Sequence, residues 1–256
     1  MKKGRIIRII LAVFFSAVFV FSAYKLINIY SGYKDAEDFY EDVRDEYIKT
    51  TEENGETENG NEETQTKAAL PFTVDFDSLQ SYNPDVVGWI YCPDTEINYP
   101  VAQSDDNEYY LRRALDGSYL VTGTVFADYR NTEPGTQRNY IVYGHYMKDG
   151  SIFGCFEKYR DQSFYENHPV MYYFTPRQNY KIELFAGLLT NTEEFPYETD
   201  FSDGDFESLL IWAKENSFFD SHIEAGIDDK IISLSTCSYQ YENARTVLLG
   251  KLCPIE

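Results

Sequence analysis

Ile231-Ile232-Ser233-Leu234-Ser235-Thr236-Cys237 is the stretch on which the fold turns. It is short and apolar, so it reads as a buried β-strand, and it carries one cysteine to the strand's tip. Arg245 follows eight residues later and opens a second apolar run, Val247-Leu248-Leu249. Upstream, Tyr140-Ile141-Val142-Tyr143-Gly144-His145 ends a third apolar strand on a histidine. A thiol, an imidazole and a fixed cation at neighbouring strand ends can supply a nucleophile, a proton carrier and an anion stabiliser.

Each residue is a weak signal alone. Cys237 by itself reads as a small core residue; a nearby cation or histidine would lower its ordinary thiol pKa of about 8.5. The chain has three histidines. His168 lies in a turn before a strand and is expected to face solvent, and His222 lies in a loop. Only His145 follows a strongly apolar strand, through Gly144, which leaves room for close approach of backbone or substrate. Arg245 alone reads as a surface partner of Glu242, although its guanidinium offers five donors at any relevant pH. Spacing leaves a transferase, a cysteine hydrolase and a non-catalytic exterior module all open.

Working outward, the chain reads as short strands between turn signals. Candidates are 86–91, 96–101, 121–126, 139–146, 170–174, 180–189, 231–235 and 246–252. Such a series predicts a sandwich or closed barrel. The abundance of Tyr (23) and Phe (18) agrees with strands over helices. One helix is expected over 205–217, capped by Asp203 or Asp205, with Phe206, Leu209, Leu210, Trp212 and Ala213 on its apolar face. No repeat period is present. A net charge of −21 over 256 residues argues against a nucleic-acid partner.

The N-terminus divides into a basic tail at 1–5, an apolar anchor at 6–30 and a stalk at 31–69. Roughly 20 apolar residues span a bilayer. Lys2, Lys3, Arg5 and Arg8 precede the run and acidic residues follow it, which predicts a cytoplasmic N-terminus and an extracellular remainder. Cleavage as a signal peptide is the alternative, but Phe21-Ser22-Ala23 offers only one of the two spaced small residues it needs. Residues 31–49 could form a helix lifting off the membrane, and 50–67 carry no aliphatic side chain and are expected to be disordered. The folded domain is expected at 70–256. Of the four cysteines, no pair has metal-ligand spacing, and Cys92 and Cys155 read as buried small hydrophobes that could otherwise pair.

The Ser233-Leu234-Ser235-Thr236-Cys237 stretch with Arg245 resembles the sortase signature Thr-Leu-x-Thr-Cys, with serine replacing the first threonine. The likeness to class B sortases, transpeptidases that attach proteins to Gram-positive cell walls, extends over about residues 80–253. It includes Asn83-Pro84-Asp85-Val86-Val87-Gly88-Trp89-Ile90, Ile97-Asn98-Tyr99-Pro100-Val101, Asn107-Glu108-Tyr109-Tyr110-Leu111, Phe126-Ala127-Asp128-Tyr129-Arg130-Asn131 and Tyr143 through Gly150. The resemblance implies a mostly β, eight-stranded sortase-type barrel with added helices, preceded by one transmembrane helix. It implies Cys237 as nucleophile, His145 as proton carrier and Arg245 as substrate and oxyanion ligand. Asn107, Leu111, Tyr143 and Ser235 match positions lining the sorting-signal groove, whereas groove residues near Tyr197 and at Ser238 do not transfer cleanly. The implied partners are a sorting-signal peptide, a peptidoglycan-precursor amine and the membrane. No metal or cofactor is implied, and a monomer is expected.

Overall fold

A computed structural model describes residues 2–50, 70–237 and 243–255. Of the stretch 50–67 expected to be disordered, Thr50 belongs to a strand and the rest lies outside the described residues, as does Ser238. The elements run α1 (Lys2–Tyr47), β1 (Ile48–Thr50), β2 (Phe72–Val74), α2 (Phe76–Tyr82), β3 (Val86–Tyr91), β4 (Asn98–Ala102), β5 (Val125–Ala127) and β6 (Asn139–Gly144). They continue as α3 (Gln162–Asn167), β7 (Val170–Phe174), β8 (Asn179–Asn191), α4 (Asp203–Glu215), β9 (Ile231–Cys237) and β10 (Ala244–Ile255). Two 3₁₀ turns, Tyr109–Arg112 and Gly154–Arg160, lie between strands.

Strands β3 to β10 close into a barrel in the order β10-β8-β7-β3-β4-β5-β6-β9. These are the eight strands expected from the sequence, with their ends shifted by a few residues. Two neighbouring pairs are parallel, β4 with β5 and β6 with β9, and the others are antiparallel. Alternation along the strands builds two apolar layers. Ile232, Leu234 and Leu248 join Val101, Val142 and Ile182 in the barrel core. Ile231, Val247 and Leu249 face the other way and are covered by Phe206, Leu209, Leu210 and Ala213 of α4. The expected helix is thus present, but its cap is Ser202, whose Oγ accepts from the Asp205 backbone N–H at 3.3 Å, and not Asp203 or Asp205. Ser233, the departure from the signature, is fully buried and donates to Asn139 Oδ1 at 2.7 Å, so its hydroxyl ties β9 to β6.

The N-terminal region differs from the expectation in one respect. Helix α1 is continuous for 46 residues, about 69 Å at 1.5 Å per residue. Its first part is apolar and solvent-exposed, long enough to cross a membrane, with a mean hydropathy of 2.5 in its most apolar window. Its second part packs on the barrel. Ala36 and Tyr40 join the barrel core, and Val43 and Tyr47 join a second cluster with Leu79, Val86 and Trp89. β1 then pairs with β2, and the Asp75 backbone N–H donates to the Tyr47 carbonyl at 2.8 Å. Packing therefore begins well before residue 70. The reason is the spacing 36, 40, 43, 47, a helical apolar stripe set among acidic residues.

Cys92 and Cys155 are both buried free thiols in the barrel core. Burial pushes the Cys155 thiol up to about 12.

Candidate active site

The parallel pairing of β6 and β9 makes both strands end at the same rim. Its register sets Tyr143 beside Ser235 and Gly144 beside Thr236. The next residue on each strand is His145 and Cys237. The antiparallel β10 starts at that rim, with Arg245 paired to Cys237. The three residues singled out from the sequence are therefore brought together by ladder register. Gly144 is required where it stands, since a Cβ there would come within 2.7 Å of the Phe153 ring. The carbonyl of His145 accepts from the Phe153 backbone N–H at 3.1 Å, which fixes the chain as it leaves the strand.

His145 is half-buried, and its Nε2–H donates to the Leu111 carbonyl at 2.7 Å. Burial lowers its pKa below the usual histidine value; the Leu111 carbonyl opposes that shift and the Arg112 charge adds to it. Arg245 is half-buried and holds its own guanidinium through Nη1 to the Ala244 carbonyl at 3.0 Å. By contrast His168, expected at the surface, donates from Nδ1 to the Phe164 carbonyl and stacks on the Phe164 ring at 4.2 Å. His222 is exposed.

A groove of about 300 Å³ opens on this rim. Asn107, Leu111, Tyr143 and Ser235 are among the residues that line it. So do His145, Arg245 and Thr236, whose buried Oγ1 has no hydrogen-bond partner among the described residues. Sequence reasoning missed Thr192 as a wall and left Tyr197 unassigned; both line the groove. The Tyr197 hydroxyl hydrogen-bonds Ser235 Oγ at 2.8 Å and its ring stacks with Tyr143 at 6.0 Å.

Behind this wall lies Asp128, fully buried. It accepts from Arg130 Nε (2.9 Å) and Nη2 (3.0 Å), from the Tyr143 hydroxyl (2.9 Å) and from Asn107 Nδ2 (3.0 Å). Arg130 Nη2 also donates to the Tyr197 carbonyl at 2.6 Å. Burial alone would raise the Asp128 carboxyl, but the donors from Arg130, Tyr143 and Asn107 outweigh it and hold it below the usual range. Burial and the adjacent Asp128 charge push the Tyr143 phenol upward, so it stays a neutral donor. One buried carboxylate thus holds three groove elements in place.

No protein-family profile matches the chain. It is 38% identical over 242 residues to Sortase B of Listeria monocytogenes, covering 92% of each chain. The structure of sortase B from Bacillus anthracis superposes with a TM-score of 0.72 at 33% identity, covering 88% of this chain and 99% of that one. A Staphylococcus aureus sortase B–substrate complex superposes at 0.68 with 33% identity, covering 71% and 85%. Barrel topology, rim and relatives together define a cysteine transpeptidase of the sortase class. Within that class, the chain belongs to the sortase B family.

Proposed function

We propose that this sortase cleaves a C-terminal sorting signal after threonine and transfers the protein, through its new threonine carbonyl, to an amino group of a peptidoglycan precursor. The observation that carries the reading is the β6–β9 register, which brings the residues after Gly144 and Thr236 to one rim beside Arg245. The Cys237 thiolate attacks the threonine carbonyl carbon. Arg245 donates to the resulting oxyanion. The C–N bond breaks as the His145 imidazolium gives its proton to the departing amine, leaving a thioacyl enzyme. The incoming amine loses its proton to His145, attacks the thioester and releases the thiolate. The groove walls, Asn107, Leu111, Tyr143 and Ser235, bind the signal.

The basic residues before the apolar part of α1 keep the N-terminus cytoplasmic and place the barrel outside the cell. The test is mass spectrometry of the protein incubated with a small library of sorting-type peptides, with and without a nucleophilic amine. A thioacyl adduct on Cys237 and an amide product with the amine are expected. Hydrolysis alone, unaltered by the amine, would make the enzyme a cysteine hydrolase. No adduct and no turnover with any peptide would overturn the reading.

A further inference from the structure

The hydrogen bond from His145 to Leu111 is held from the far side by the helix that carries the membrane anchor. Leu111 sits in the 3₁₀ turn Tyr109–Arg112. Both its neighbours are tied to the segment entering β5: the Thr124 backbone N–H donates to the Tyr110 carbonyl at 3.0 Å, and the Leu120 N–H donates to the Arg112 carbonyl at 3.0 Å. Gly123 presses directly on the Leu111 peptide. Its φ is +59°, and a Cβ there would come within 2.5 Å of the Leu111 oxygen. That conformation and that contact both require glycine. The Gly123 carbonyl in turn accepts from the Tyr40 hydroxyl of α1 at 2.5 Å. Tyr40 is buried and packs edge-on against Tyr99 of β4, with ring centroids 4.9 Å apart. About two turns earlier in the helix, Gly32 of α1 lies against the Val121 side chain.

We infer that the barrel-docked half of α1 is a positioning element for the histidine: Tyr40 holds Gly123, Gly123 sets the Leu111 carbonyl, and that carbonyl fixes the ring of His145. The chemistry of the last contact is specific. A carbonyl only accepts, so the neutral ring carries its proton on Nε2 and leaves Nδ1 bare. A displaced Leu111 oxygen would release both the ring orientation and the tautomer. Helix α1 thereby does more than tether the enzyme. The inference rests on His145 as the proton carrier of the proposed reaction, but the contact chain itself is independent of that role.

The full chain in detergent micelles, labelled with ¹⁵N-histidine, tests it. Three histidines give a resolvable spectrum. His168 bonds through Nδ1 and His145 through Nε2, so the two should show opposite tautomer signatures in the wild type. Tyr40→Phe removes one hydroxyl and leaves the ring. It is expected to shift the His145 signals towards mixed tautomers, leave His168 unchanged, and lower kcat about tenfold with KM within twofold, since small misplacements of a reacting group cost rate. Gly123→Ala should do the same more strongly. An unchanged His145 spectrum with unchanged kcat in folded Tyr40→Phe overturns the inference, and so does a rise in KM alone. Because the spectrum is recorded without substrate, it judges the coupling whatever the ring does; activity surviving in His145→Ala would refute the proposed chemistry separately.

Discussion

The two walls of the groove are built by different means. One wall is carried by strand ends: His145, Thr236 and Arg245 take their places from the register of β6, β9 and β10, the same register that ends β9 on Cys237. The other is carried by loops: Asn107 and Leu111 lie on one segment and Thr192 and Tyr197 on another far away in sequence, and side-chain hydrogen bonds around Asp128 and Ser235 hold Asn107 and Tyr197. A ladder fixes position through many backbone bonds at once, so no single side chain sets the geometry. The loop wall depends on a few polar groups and can be altered by one substitution. Under the proposed mechanism, bond-making falls to the rigid wall, and recognition falls in large part to the adjustable one. Changes on the strand wall should lower kcat, and changes on the loop wall should raise KM.

The largest effect is expected from Cys237→Ala, which removes the covalent route. Turnover should vanish while the circular dichroism stays native, because the exchange removes one sulfur at the last residue of β9. Residual cleavage above background would remove the nucleophile from the strand wall. Arg245→Lys comes next. Lysine keeps the charge but loses the planar fork, and loss of one oxyanion donor costs roughly 100- to 1,000-fold in rate. The loss should appear in kcat. Near-normal kinetics would demote Arg245 to a surface cation. The pH dependence of kcat/KM sharpens the same wall. Attack needs a thiolate and leaving-group protonation an imidazolium, so the profile should be a bell. Because burial lowers His145, its lower inflection should lie below the usual histidine value of 6.5. An inflection at or above that value would show that the ring is not desolvated as the structure has it.

Asp128→Asn tests the loop wall at its hub. The amide replaces a charged acceptor with a neutral one and turns a donor towards Tyr143 or Asn107. Hydrogen bonds to charged groups contribute about 1.5–3 kcal/mol, which corresponds to a KM raised roughly 10- to 100-fold, with kcat changed less. The same variant carries a pH signature. Asp128 in the folded chain binds a proton less readily than in the unfolded chain. Its contribution to stability is present above the ordinary carboxyl value of 3.8 and is lost as pH falls towards the folded value. Across that window the wild-type Tm should therefore fall more steeply with acid than that of the variant. Parallel slopes would mean the carboxylate is not held by its donors.

The difference between the walls also governs what could be read from the chain itself. The strand wall was legible because a buried strand leaves an apolar run and ends where the run ends; Cys237, His145 and Arg245 stand at those ends. The loop wall was legible only through resemblance, which placed Asn107 and Leu111, together with Tyr143 and Ser235 on the strands, but not Thr192 or Tyr197. Asp128 and Arg130, two residues apart in a loop, look like any exposed ion pair until the fold buries the carboxylate. The docked half of α1 was hidden for a related reason: Ala36, Tyr40, Val43 and Tyr47 are single apolar residues among charges, and only their helical spacing joins them. Ser202, Asp203 and Asp205 all suit a helix cap, and backbone geometry alone selects the serine.

The smallest effect is expected where the two walls touch. Tyr197 reaches from the loop wall to Ser235 on β9 through its hydroxyl, and its ring lies along Tyr143. Tyr197→Phe keeps the stacking and deletes one neutral hydrogen bond, a contribution of about 0.5–1.5 kcal/mol. KM for the sorting peptide should rise roughly two- to tenfold and kcat should hold. Ser235→Ala deletes the same bond from the strand side. If the bond serves only to close the groove, the double variant should show no more than the larger single loss, since the two changes remove one shared interaction. Additive losses would mean that each hydroxyl meets the substrate on its own, and that the boundary between a bond-making wall and a recognition wall is drawn in the wrong place.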